Sequence, residues 1–268
     1  MYKRQVRGLT GPTDPSVDAD AFTDVGKIGL GDIEISDDGT TLYVMNLSSN
    51  ELVAIDVATM MITNSWLVPD PGCVDGVFRP FAVAYEDGEV YIGGVCDGSL
   101  NASNPQNLND VSARQDLEAF VYRLDGASFT EVKSTPLDYL REPTDAYNGS
   151  CNPDINGWYG WVDQLQATCN GSVISYPQPM LTDIEFDAGG NMVISFADRT
   201  GFQIGNNNLG PDGTGSYSNT TGGDILYACN NLNGFWTIEG SGCTNAQGGA
   251  INGSNNTCLL YTSPSPRD

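Results

Sequence analysis

Apolar and polar positions along this chain alternate with the two-residue period of half-buried strands. The alternating runs recur around three tight turns, Ser36-Asp37-Asp38-Gly39, Glu86-Asp87-Gly88 and Asp187-Ala188-Gly189-Gly190, whose Asp and Gly residues favour antiparallel hairpins. One run precedes each turn: Asp32–Ile35, Ala82–Tyr85 and Asp183–Phe186. A second follows it: Leu42–Met45, Val90–Gly93 and Met192–Ser195. A third comes next, Leu52–Ile55, Ala119–Tyr122 and Asp224–Tyr227, and a weaker fourth spans Met61–Trp66, Phe129–Lys133 and Phe235–Ile238. The pattern predicts three copies of a four-stranded antiparallel unit. Helical periodicity is nearly absent, with Ala113–Ala119 the single stretch that admits a turn of helix.

Repeated four-stranded units read as blades of a β-propeller, because one blade cannot bury both of its faces alone. The expected fold is all-β: a partial β-propeller of about three four-stranded antiparallel blades, at about 30–68, 79–137 and 179–240. Residues 6–29 are expected to lead in from a preceding blade, and 30–257 to form the incomplete propeller. Propeller rings typically hold four to eight blades, so three do not close. Exposed blade faces and self-association follow as expectations.

Composition narrows the function classes. The chain holds 34 Asp and Glu against 11 Lys and Arg, a net charge of −23, which repels phosphate and excludes nucleic acid as a partner. It contains no His, so His-dependent triads, His general bases and His-ligated zinc are excluded within it. No apolar run approaches the roughly 18 residues of a membrane span.

Both ends read as cloning artefact. Cys258–Asp268 (CLLYTSPSPRD) and Met1–Gln5 (MYKRQ) back-translate to opposite strands of a transposase adapter used in library preparation. On that expectation 1–5 and 258–268 stand outside the fold, and any signal or anchor belongs to unseen flanking sequence. Setting Cys258 aside leaves Cys73, Cys96, Cys151, Cys169, Cys229 and Cys243. An even set suits an oxidising compartment. Pairing of neighbours (73–96, 151–169, 229–243) is expected because each pair brackets one loop-rich stretch; free buried cysteines are the alternative.

The stretch Ser36-Asp37-Asp38-Gly39-Thr40-Thr41-Leu42-Tyr43-Val44-Met45-Asn46, followed by Leu52-Val53-Ala54-Ile55-Asp56, resembles the YVTN-type propeller repeat, with Met45 where that family has Thr. A broader resemblance rests on Arg79-Pro80-Phe81-Ala82, Val95-Cys96-Asp97, Pro179–Phe186 and Phe196-Ala197-Asp198-Arg199. These look like the propeller module of large secreted bacterial surface proteins that carry SdrD B-like domains. The resemblance implies secretion, an extracellular or cell-surface location, and a role in display or adhesion. It supplies no catalytic residues.

Three long segments stand out: Asp97–Asp116 and Asp198–Gly223 between second and third strands, and Asp138–Gln178 between blades. Propeller geometry places all three on one face, where long loops on a rigid scaffold carry binding. They are rich in Asn, Gly, Ser and Asp with interspersed aromatics. The candidate ligand-binding residues are Asp97, Tyr147, Trp158, Tyr159, Trp161, Asp198 and Arg199. Amphipathic rings beside polar neighbours suit a glycan or a protein surface. The alternative is that the rings staple a long loop lacking a core of its own.

Asp32, Glu34, Asp183 and Glu185 occupy matched positions on first strands, which line a propeller channel. Buried carboxylates need a partner, and bases are scarce. A hard cation such as Ca²⁺ is one partner; facing a wet channel or capping backbone amides is the other reading. The function expected is a non-enzymatic extracellular or cell-surface binding or adhesion module. The alternative is a metal-dependent, Ca-type hydrolase or lactonase on a propeller scaffold, with channel acids holding the metal.

Overall fold

The computed structural model describes residues 14–141, 156–231, 235–239 and 243. The two terminal segments read as adapter, together with Tyr147 and Cys151, lie outside the described residues.

Three four-stranded antiparallel sheets follow one another along the chain. The first contains β1 (Leu30–Ile35), β2 (Thr41–Asn46), β3 (Glu51–Asp56) and β4 (Met61–Leu67), hydrogen-bonded in that order. The second contains β5 (Phe78–Glu86), β6 (Glu89–Asp97), β7 (Leu117–Asp125) and β8 (Ser128–Pro136) in the same simple order. After it come two short strands, β9 (Thr168–Asn170) and β10 (Val173–Ile174). The third sheet contains β11 (Pro179–Phe186), β12 (Met192–Asp198), β14 (Asp224–Asn230) and β15 (Trp236–Ile238), with the short β13 (Ser218–Asn219) arising between β12 and β14. The first strands β1, β5 and β11 lie against one another, so the sheets radiate from a common axis. The chain is therefore a partial β-propeller of three blades.

Local chemistry explains the hairpins. Asp87 and Gly88 both take positive φ, 51° and 86°, the primed-turn geometry that matches the twist of paired strands. Short helices α1 (Ala19–Asp24) and α2 (Arg199–Ile204) were not legible from periodicity, because one and a half turns are too short to show a 3.6-residue pattern. The helical turn expected over 113–119 is a 3₁₀ turn at Ser112–Asp116, and Leu117 already begins β7.

Blades pack face to face. Met45 and Leu52 of blade 1 meet Val83, Ile92, Phe120 and Tyr122 of blade 2 in one core. Ala82, Ala84 and Val121 from the other side of blade 2 meet Ile184, Ile194 and Leu226 of blade 3 in another. Cross-strand register makes Val83, Ile92 and Tyr122 the counterparts of Ile184, Ile194 and Leu226. The same register in blade 1 selects Ile33, Val44 and Val53, with Ile35 and Ile62 on the same face. No described blade covers that face: Ile33 is 49%, Ile35 43% and Ile62 67% exposed. In blade 3 the pairing of Ile194 with Leu226 sends Ile225 to the opposite side, where it is 59% exposed.

Disulfides Cys73–Cys96 and Cys229–Cys243 are formed, each with Cα atoms 5.4 Å apart. Cys169 is also disulfide-bonded. Among the described residues no helix is long and apolar enough to cross a membrane.

Candidate binding platform

The three long segments come from two different blades and one inter-blade link, and they fold together. Parallel pairing of β10 from the link with β13 from blade 3, and antiparallel pairing of β10 with β9, builds a three-stranded sheet outside the blades. Beneath it Phe22, Tyr159, Val162, Ile174, Tyr176 and Ile204 form a separate apolar core, joined by half-buried Leu108, Val111 and Tyr217. These segments thus make a platform with its own interior on one side of the propeller.

Two buried carboxylates root it. Asp97 ends β6 and Asp198 ends β12, and neither side chain reaches solvent. Asp97 accepts from Val77 N (2.8 Å), Ser99 N (3.0 Å) and Arg79 Nε (2.8 Å). Asp198 accepts from Gln178 N (3.0 Å), Thr200 N (2.9 Å) and Gly222 N (3.2 Å). Each therefore ties the residue before its blade's first strand to the start of a long loop. Burial pushes the Asp198 carboxyl up to about 6 despite those amides.

Arg199 is a second node. It is fully buried and donates to Val25 O (2.9 Å), Thr23 O (3.1 Å), Val162 O (2.7 Å), Gln178 Oε1 (3.0 Å) and Asp163 Oδ1 (2.9 Å). Its guanidinium lies 4.7 Å from the Trp161 ring centroid. Segments far apart in sequence are thereby locked into one surface.

The run Gly157-Trp158-Tyr159-Gly160-Trp161 acquires a packing reason. Trp158, Tyr159 and Trp161 are 0%, 1% and 2% exposed. Tyr159 stacks on Tyr176 at 4.2 Å and donates its hydroxyl to Leu108 O; Trp161 Nε1 donates to Pro179 O at 2.7 Å. A Cβ on Gly160 would stand 2.7 Å from Ala113 Cβ and 2.8 Å from Ala102 Cβ, so only glycine lets the link press this close. Tyr159 packs into the platform's own core, whereas Trp158 and Trp161 join the core between blades 2 and 3, so the run fastens the link to both.

No family model matches the chain. Its sequence is similar to colossins. Colossin-B of Dictyostelium discoideum is 30% identical over 236 residues, covering 81% of this chain and 5% of that protein. Colossin-C of the same organism is 27% identical over 244 residues, covering 88% of this chain and 21% of that protein. The chain thus spans a small part of the length of these relatives. Among solved structures, the β-propeller domain of Cps50 (Swd1) from Myceliophteria thermophila is 11% identical, covering 79% of this chain and 51% of that one, with a TM-score of 0.29. A GH43 protein, BlXynB from Bacillus licheniformis, is 11% identical over 82% of this chain and 32% of that one, with a TM-score of 0.36.

The first-strand acids lie on the propeller side of the molecule. Asp32 Oδ1 accepts from its own neighbour Ile33 N (2.8 Å), and Oδ2 from Val83 N of blade 2 (3.1 Å). Glu34 accepts from Ile35 N at 2.8 Å. Burial, above all, holds Asp32, Asp183 and Glu185 above the usual carboxylate range, and for Glu185 the charges of Asp183, Glu34 and Asp32 add to it. Among the described residues no three His, Cys, Asp or Glu side chains gather closely enough to hold a metal ion.

Beside Trp161, which the sequence singled out, Lys27, Arg79, Ser99, Ser103 and Gln164, which it did not, line a cavity of about 450 Å³ in the platform. Lys27 pairs with Asp163 at 2.6 Å, and Arg79 with Asp97 at 2.8 Å. Two of the chain's few bases facing one hollow was the available signal. They lie 52 residues apart in sequence (27 and 79), so no local window brings them together.

Proposed function

We propose that this chain is a non-enzymatic, extracellular or cell-surface binding module that presents its loop platform to a glycan or protein ligand. The observation that carries the reading is the platform itself: three long segments with a separate core and sheet, rooted by Asp97, Asp198 and Arg199. A rigid scaffold bearing an ordered, polar surface is the arrangement that binding proteins use. The disulfides suit an oxidising compartment. YVTN-type repeat ancestry and a larger surface protein around this segment belong to the same proposal.

The test is a labelled chain on glycan and extracellular-protein arrays. Specific binding is expected, and replacing the platform loops 104–110 and 206–216 with Gly-Ser sequence of equal length is expected to abolish it. Absence of specific binding on both arrays overturns the reading, as does metal-dependent turnover of an ester or lactone panel.

A further inference from the structure

The platform cavity is lined by two bases and one acid, Lys27, Arg79 and Asp163, an excess of one positive charge in a chain whose net charge is −23. Lys27, Arg79 and Arg199 converge around Trp161, and among the described residues the carboxylates paired with them are Asp163 and Asp97. Arg199 is spent on the protein interior. Lys27 and Arg79 are not: both line the cavity, with side chains 21% and 20% exposed. Arg79 commits its Nε to Asp97, and no hydrogen bond among the described residues uses its two terminal nitrogens. Burial lowers the Lys27 pKa, and the charges of Arg199 and Arg79 oppose Asp163 in lowering it further. Such a clash of like charges in a hollow is relieved by an anion.

We infer that this cavity seats the carboxylate of an acidic sugar, a reading that rests on the binding role proposed above. Three observations select that ligand class. An excess of one positive charge matches a single carboxylate, whereas a phosphate monoester brings about −1.5 to −2. The paired terminal nitrogens of an arginine match the two oxygens of a planar carboxylate. Ser99, Ser103 and Gln164 add hydroxyl and amide groups that suit the hydroxyls of a pyranose ring, beside the apolar Ala102, Val162 and Trp161 and the Asp163 carboxylate that Lys27 pairs. A volume of about 450 Å³ lies within the range of small-molecule sites.

The experiment titrates the 268-residue chain with glucuronate, glucose, acetate and inorganic sulfate by calorimetry. Glucuronate is expected to bind at least tenfold tighter than each of the others. Arg79→Gln is expected to weaken it at least tenfold. Because that change also strips Asp97 of a partner, a second variant, Ser103→Trp, fills the cavity from an exposed position and leaves every ion pair in place. It is expected to weaken glucuronate as strongly, with the melting midpoint unchanged. Glucuronate no tighter than acetate or sulfate, or indifferent to Ser103→Trp, overturns the inference. An array ligand that both variants still bind overturns the cavity site and leaves the platform reading standing; no array ligand at all overturns both.

Discussion

Asp198→Asn should stabilise the protein at neutral pH, although it removes a buried carboxylate that accepts three amides. The argument is one of linkage. The Asp198 carboxyl is raised from 3.8 to about 6 by burial. An acid whose folded pKa exceeds its unfolded value destabilises the fold once ionised. The penalty is absent below about pH 3.8, grows through the window up to about 6, and stays constant above it. At about 1.4 kcal/mol per unit the full penalty is roughly 3 kcal/mol. Asparagine has the shape of the protonated acid and no charge, so it escapes that penalty. Asn Oδ1 can still accept from Gln178 N and Thr200 N, as the Asp oxygen does, but the Asn NH2 cannot accept from Gly222 N, a loss of about 1–2 kcal/mol at every pH. Denaturant unfolding at pH 7.5 and at pH 4 measures the difference directly. The variant is expected to gain about 1–2 kcal/mol at pH 7.5, the penalty relieved less the lost Gly222 bond, and to fall slightly below the parent near pH 4. Asp198→Ala is the control: it strands three buried donors, at about 1–2 kcal/mol each, and is expected to lose stability at both pH values. An Asn variant less stable than the parent at pH 7.5, or a gap independent of pH, refutes the reasoning.

Because the Asp198 carboxyl titrates at about 6 when folded, the melting midpoint of the parent should climb as pH falls from 7.5 to 5.5, and Asp32, Asp183 and Glu185, also raised by burial, act with the same sign; a steady decline across that window contradicts it. Gly160→Ala should cost about 1–3 kcal/mol by forcing a methyl between Ala113 and Ala102, read by denaturant titration, and a neutral result refutes the close approach. Leu52→Ala, at a position without solvent exposure between blades 1 and 2, should cost about 2–5 kcal/mol in the same assay. On the open face of blade 1, Ile33→Lys with Ile62→Lys should suppress self-association in light scattering while changing unfolding free energy by no more than about 0.5 kcal/mol each; unaltered association means that face is not the sticky one.

Much of the fold was legible because its determinants are local. Alternation of period two, Asp-Gly turns and their near-regular recurrence depend on a few consecutive residues, and they located every strand of the three blades. The face shared by the long segments was also legible, since strand order alone dictates which connections emerge on which side. The short helices were not, for want of turns, and neither was the one-residue step that exposes Ile225 and buries Leu226, because register is chosen by the neighbouring strand.

The candidate residues divide along the same line. Sequence by itself offered Trp158, Tyr159, Trp161, Asp97, Asp198 and Arg199 as candidate ligand-binding residues, and the rooting role of the last three came only with the structure. It left open whether the rings meet a ligand or the protein. Only the tertiary structure decided that they are buried, because their neighbours, Leu108, Tyr176 and Pro179, arrive from other segments. Arg199 bonds to Val25, 174 residues away, and Lys27 reaches Asp163 across 136. Contacts at such separations are made where the segment before blade 1 packs on the loop platform, which no local pattern encodes; local sequence therefore announced the scaffold, and tertiary packing brought together the residues of the site.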